Sequence, residues 1–325
     1  MPHSFKLSRR LARFRAPAVV VLLLSLAACD DDSFNPDRST TPDPVDQVPA
    51  VTSDGEIQAV PVAPELATSF AGGIPIGTFH QPNSEFGSRY NGALRNDWPD
   101  ALLSNLATIK SKGGKVMLMM VGQQKYYKNS DGTFSLAKWK ARVDRYRKTN
   151  FSSYLNDGTI IGHYLIDEPY DPANWAGHPI SGSTLEEMAK YSKSIWPSLK
   201  TIVRAEPYLI KWSGQYRALD AAWAQYLWRK GDPKDYLNKN VSTAKQMGLG
   251  LVVGMNLLKG GNPNGTWMTP SEVANWGSAL LSDDYVCAFI SWEYTSSKLN
   301  ESAMRDAMST LRRKAESHPS RACSG

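Results

Sequence analysis

Ile160-Ile161-Gly162-His163-Tyr164-Leu165-Ile166-Asp167-Glu168-Pro169 is the stretch on which the architecture turns. Its apolar run is short and nearly continuous, as a strand covered on both faces requires. It ends abruptly in two acids and a proline. Side chains alternate along a strand, so Asp167 and Glu168 are expected on opposite faces. Pro169 is expected to hold Glu168 extended and to stop the strand.

Working outward, similar apolar runs predict strands at residues 74–80, 115–122, 200–206, 220–227, 249–256 and 285–293, beside 159–168 itself. Helical periods fall between them at 98–112, 136–155, 184–196, 233–247 and 270–281, with a last one at 301–315. Asp97 or Ser183 can cap a helix start, and Thr269-Pro270 places a capping hydroxyl before a proline at the first helical position. Alternating strands and helices of this kind form parallel sheets. The 255 residues from 71 to 325 match the usual length of about 250 for a closed barrel. The fold class is therefore α/β, a (β/α)8 TIM-type barrel with one irregular or missing strand. Seven strands are visible, and the loop 81–96 is where an eighth can hide. The rival is an open doubly wound sheet. Against it, Ile76-Gly77-Thr78-Phe79-His80-Gln81-Pro82 lacks the Gly-rich turn of nucleotide-binding folds.

The segment ahead of the barrel reads differently. The chain of 325 residues carries 37 Lys+Arg against 31 Asp+Glu, yet residues 1–28 hold five of the bases and no acid. A basic stretch through Arg15 followed by a short apolar run to Ala28 reads as a bacterial export signal, too short for a membrane span of about 20 residues. Leu26-Ala27-Ala28-Cys29 resembles the lipobox of bacterial lipoproteins, which implies cleavage before Cys29 and lipid on its sulfur. An ordinary signal peptide and an uncleaved anchor are the alternatives. Residues 29–70, with nine acids and one base, and with six prolines, cannot bury enough apolar area to fold and read as an acidic tether. The expected location is the cell envelope, lipid-anchored, on the periplasmic or outer surface. Cys287 and Cys323 are then an even pair in an oxidising compartment, available to tie the C-terminal tail to the last strand. The body from 71 onward carries 31 bases and 22 acids, a net +9.

Function in such a barrel sits where strands end. Those ends are polar here: His80 and Gln81; Gln123 and Gln124; Asp167 and Glu168; Glu206; Gln225 and Tyr226; Asn256; Glu293 and Tyr294. Ala205-Glu206-Pro207 repeats the acid-proline device one strand after Glu168, and Glu293 adds a third carboxylate. Glycosidic-bond cleavage needs a protonated acid at the leaving oxygen and a second, ionised carboxylate, and unequal surroundings separate two such groups. Trp175, Trp212, Trp228, Trp267 and Trp292 lie at or beyond strand ends, where flat faces can stack on sugar rings and Asp167, His80, Gln123, Tyr226 and Asn256 can meet hydroxyls. Core or loop packing is the plainer alternative for each.

Tyr164-Leu165-Ile166-Asp167-Glu168-Pro169, with Trp292-Glu293-Tyr294, resembles the (β/α)8 glycoside-hydrolase-like proteins whose fourth strand ends in an Asp-Glu-Pro or Asn-Glu-Pro segment. The resemblance implies a carbohydrate substrate, Glu168 as acid/base, and a platform tryptophan on the last strand. If Glu293 ends the seventh strand it matches the usual nucleophile position. If it ends the eighth, the seventh ends at Asn256, which is no carboxylate, and Glu206 becomes the candidate partner. The visible strand count favours the eighth. A glycan-binding lipoprotein on a degenerate barrel is the second reading. A scaffold is the third, favoured if Glu168 is buried and paired with an Arg such as Arg204.

Other chemistries find no pattern. The five histidines show no metal-ligand spacing, so no metal or cofactor is expected. No G-x-S-x-G elbow or phosphate loop is present. Nucleic acid is not an expected partner, because the chain reads as exported and Lys138, Lys140, Arg142, Arg145, Arg147 and Lys148 read as a solvated helix face; an acidic polysaccharide, or attraction to anionic headgroups, is the alternative use of the positive body.

Overall fold

The structure, a computed structural model, describes residues 72–325. The expected export signal, Cys29 and the acidic tether lie outside the described residues. Eight parallel strands close into a barrel in chain order. They are β1 (Ile76–Phe79), β2 (Gly92–Arg95), β3 (Lys115–Met119), β4 (Ile160–Asp167), β5 (Thr201–Arg204), β6 (Ala221–Tyr226), β7 (Gly250–Met255) and β8 (Val286–Ser291).

The strand hidden from the sequence is β2, inside the interval 81–96. Its four residues, Gly-Ala-Leu-Arg, are too short and too mixed to stand out. Gly92 pairs in register with Gly77 of β1, and a Cβ on Gly77 would lie 1.6 Å from the Gly92 carbonyl oxygen. The absence of side chains at this pair lets the two strands close. With β2 counted, the Asp-Glu-Pro strand is the fourth and Glu293 follows the eighth.

The helices are α1 (Leu102–Ser111), α2 (Leu136–Asp144), α3 (Ser152–Asn156), α4 (Gly182–Ile195), α5 (Pro233–Met247), α6 (Pro270–Leu280), α7 (Ser296–Leu299) and α8 (Ser302–Ser317). The single helix expected over 136–155 is broken in two. Between the halves, Tyr146 turns inward to donate to the Asp97 carbonyl at 2.7 Å, and Asn150 caps the Ser152 amide at 3.2 Å. Asp97 is not a helix cap, since its carboxylate takes Arg95 at 2.8 Å and Asn105 at 2.7 Å. Ser181, not Ser183, caps α4 by accepting from the Thr184 amide at 3.2 Å. At α6 the expected cap holds, and Glu272 completes a reciprocal capping box with Thr269.

Phe79 of β1 meets Tyr164 of β4 at 6.1 Å and Trp223 of β6 at 4.8 Å between ring centroids. Rings from strands that are not neighbours can touch only through the barrel interior, so these three buried side chains form its floor below the mouth. At the opposite end, a Cys287–Cys323 disulfide ties β8 to the C-terminal tail. That tail lies against the start of β7, where a Cβ on Gly250 would come within 2.6 Å of the Ser324 amide. Among the described residues, no helix is long and apolar enough to cross a membrane.

Candidate functional site

The β4–β5 register shifts between Tyr164 and Asp167, and Asp167 pairs with Arg204. Immediately afterwards Glu168 takes φ +39°, the left-handed region. Two expectations fail together for this reason. Pro169 does not hold Glu168 extended, and the alternation rule does not separate Asp167 from Glu168. Both carboxyls face the Arg204 guanidinium. By contrast Glu206, also before a proline, is extended at φ −61° and ψ 133°.

Left-handed backbone at a non-glycine residue costs on the order of 1–3 kcal/mol and must be held by its surroundings. At Glu168 the hold is visible. Its amide donates to the Arg204 carbonyl at 3.0 Å. Its carbonyl accepts from the buried Trp175 indole at 3.0 Å and from the Asp171 amide at 3.1 Å. Trp175 is therefore a support beneath the site, packed against Tyr127 and Phe134, rather than a ring open to a ligand.

Arg204 divides its donors. Nε binds Asp167 Oδ1 and Nη1 binds Gln225 Oε1, while Nη2 lies 3.5 Å from Glu168 Oε1. Asn174 Nδ2 approaches the other Glu168 oxygen at 3.4 Å. Burial pushes the Glu168 carboxyl above its ordinary range. Arg204 opposes that push, and the charges of Asp167, Asp171 and Glu206 add to it. The net direction is upward. The Glu168 side chain is 28% exposed.

Across the mouth, Glu293 Oε2 lies 2.9 Å from His80 Nδ1, and the Trp292–Glu293 peptide is cis. His80 also has positive φ, +53°, directly after β1. Trp292 packs on Phe79 at 4.8 Å and stands 6.0 Å from the His80 ring. His80, Trp292 and Glu293 thus form one group on the β8–β1 side, over the aromatic floor.

The remaining sequence candidates divide. Glu206 is buried against the 228–230 turn and α5, and its Oε1 takes Lys230 at 2.7 Å and the Tyr236 hydroxyl at 3.1 Å. Tyr226 is turned away from the mouth, packing on Tyr236 and Trp276 and donating to the Gly231 carbonyl at 2.6 Å. Alternation explains this, since its neighbour Gln225 faces inward to Arg204. Asn256 closes its own loop by accepting from the Lys259 amide at 2.9 Å. Trp212 is wedged between Gly182 and Gly214, where added Cβ atoms would lie 2.5 and 2.4 Å from its ring. Gln123 is half-buried, with its Oε1 out of contact with water and without a hydrogen bond. Trp228 and Trp267 are exposed at 40% and 38%, on loops joined by the Trp228 amide donating to the Gly260 carbonyl at 2.8 Å.

The residue that organises the β4 side is Arg204. Its signal in the sequence is a lone charge in the apolar run Thr201-Ile202-Val203-Arg204.

The chain is similar to a GH18 chitinase from Pseudoalteromonas aurantia, at 11% identity and TM-score 0.46, covering 74% of this chain and 99% of that one. It is similar to an endo-beta-1,4-mannanase from Thermotoga petrophila, at 12% identity and TM-score 0.48, covering 76% and 77%. It is also similar to xylanase 10B from Thermotoga petrophila RKU-1, at 12% and 0.48, covering 80% and 100%. No family model matches the chain, and no curated protein matches it. Likeness at this level assigns no activity.

Proposed function

We propose that the chain is a glycoside hydrolase in which Glu168 is the general acid and Glu293 supplies the second carboxylate. The observation that carries this reading is the division of labour at Arg204. The guanidinium is committed to Asp167 and Gln225, and burial keeps the Glu168 carboxyl protonated to higher pH than an ordinary glutamate. In the reaction, the Glu168 carboxyl gives its proton to the leaving glycosidic oxygen. Glu293, hydrogen-bonded to His80, faces the opposite side of the cleaved bond and activates or replaces the attacking water. Trp292 offers a half-buried ring to the sugar, backed by Phe79. Glu206, held by Lys230 and Tyr236, keeps a supporting place and adds its charge to the field around Glu168. The export signal and Cys29 belong to the same reading, placing the barrel on an envelope membrane by a lipid anchor.

The proximity of Arg204 to Glu168 bears on a second reading, a barrel without turnover, whether a scaffold or a glycan-binding protein. Reducing-end release over a polysaccharide panel, with wild type and Glu168→Gln, separates the two. Release by the wild type and its loss in the variant supports the hydrolase. Binding of a glycan with no release by either protein overturns it.

A further inference from the structure

The helix α2 and the turn after it carry two arginines that are not the solvated face the sequence suggests. Arg142 donates through Nε to the Val121 carbonyl at 2.9 Å, and Arg145 through Nη2 to the Met120 carbonyl at 3.0 Å. Their guanidinium carbons lie 5.6 and 4.8 Å from the centre of the same ring, Trp98, and Arg142 also covers Tyr126 at 4.2 Å. Both side chains are half-buried. Among the described residues, neither has a carboxylate within ion-pair distance. Burial works against both charges, and Arg145 works against Arg142 as well. Two adjacent guanidiniums partly withdrawn from water without a counter-charge are an unusual arrangement, because like charges held together lose energy that an anion would restore. Arg142 spends only Nε in a hydrogen bond among the described residues, so its forked end is available to an oxyanion.

The pair also borders the mouth. The Met120 and Val121 carbonyls that hold it directly follow β3, at the end of the barrel where His80 and Glu168 also follow their strands.

We propose that Arg142 and Arg145, gathered about Trp98 on the β3 side of the mouth, form a subsite for the carboxylate or sulfate of an acidic glycan. This inference rests on the glycan reading above and narrows its substrate class. The +9 charge of the body after residue 70 accords with it.

The test is calorimetric binding of oligosaccharides of equal length: an oligogalacturonate, a kappa-carrageenan oligosaccharide, which carries sulfate and no carboxylate, and a neutral manno-oligosaccharide. Wild type is compared with Arg142→Gln, Arg145→Gln and Arg142→Lys, each checked for folding by circular dichroism. At least one acidic probe is expected to bind about tenfold or more tighter than the neutral one, with the difference shrinking as salt rises. Each Gln variant is expected to lose about tenfold for that probe and nothing for the neutral one, while the Lys variant, which keeps charge without the fork, falls between. The acidic probe that binds shows whether the group is carboxylate or sulfate. Equal or tighter binding of the neutral probe, binding of no acidic probe, or folded Gln variants that bind acidic probes unchanged would each overturn the subsite. An acidic oligosaccharide bound through Arg142 but never cleaved keeps the subsite and removes the hydrolase. Neutral glycans cleaved by the wild type, with no acidic probe bound, do the reverse.

Discussion

The indole N–H of Trp175 donates to the carbonyl oxygen of Glu168 at 3.0 Å, so the left-handed residue that carries the site's carboxyl is held from below by a buried ring. Trp175→Phe keeps most of the packing and removes this one donor. It is expected to cost about 1 kcal/mol of stability by denaturant unfolding. Because it frees the Glu168 backbone, kcat should fall while KM changes little.

Arg204 is the next lever. Its side chain is 11% exposed and serves Asp167, Gln225 and Glu168 together. Arg204→Met leaves two of those groups without their donor and should cost about 2–3 kcal/mol, measured by urea unfolding. It also removes the charge that pulls Glu168 downward. An acid catalyst works only while protonated, so the alkaline limb of the pH–rate profile should move to higher pH in this variant.

Glu168 itself should trade stability for function. Its carboxyl is raised in the folded chain above the ordinary value of 4.5. A raised group contributes stability that is fully present below its unfolded pKa and lost as pH rises through the folded one. The wild type should therefore lose stability relative to Glu168→Gln as pH increases above about 4.5, read as a growing difference in Tm. A constant difference from pH 4 to pH 8 would contradict the assigned direction.

The Cys287–Cys323 bond joins residues 36 apart in the chain and closes the end of the barrel away from the mouth. Replacing both with Ala should cost about 3 kcal/mol. Activity at moderate temperature should persist, since the bond touches none of the polar strand ends.

Much of the barrel is legible in the sequence because helix-covered parallel strands are nearly continuous apolar runs, and seven of eight have that form. β2 is not legible, since what lets it pair with β1 is a missing side chain on Gly77, where a Cβ would meet the Gly92 carbonyl. The polar strand ends are legible as a set. The direction of each is less so: Tyr226 follows the alternation that turns it outward, whereas Glu168 escapes alternation through one left-handed residue. No local pattern announces that turn, because its support comes from Trp175, Asp171 and the neighbouring strand. The Arg142–Arg145 pair is hidden for a related reason. Helical spacing gives its position on α2, but only the tertiary fold brings Trp98 and the end of β3 against it.

The central claim is that burial, not Arg204, sets the state of Glu168. Its carboxyl can be titrated directly by carbon NMR on protein labelled at glutamate side chains, with Glu168→Gln identifying the signal. A midpoint clearly above 4.5 is the expected result. A midpoint at or below 4.5 would make Glu168 a structural anion held by Arg204, and the acid role assigned to it would be wrong.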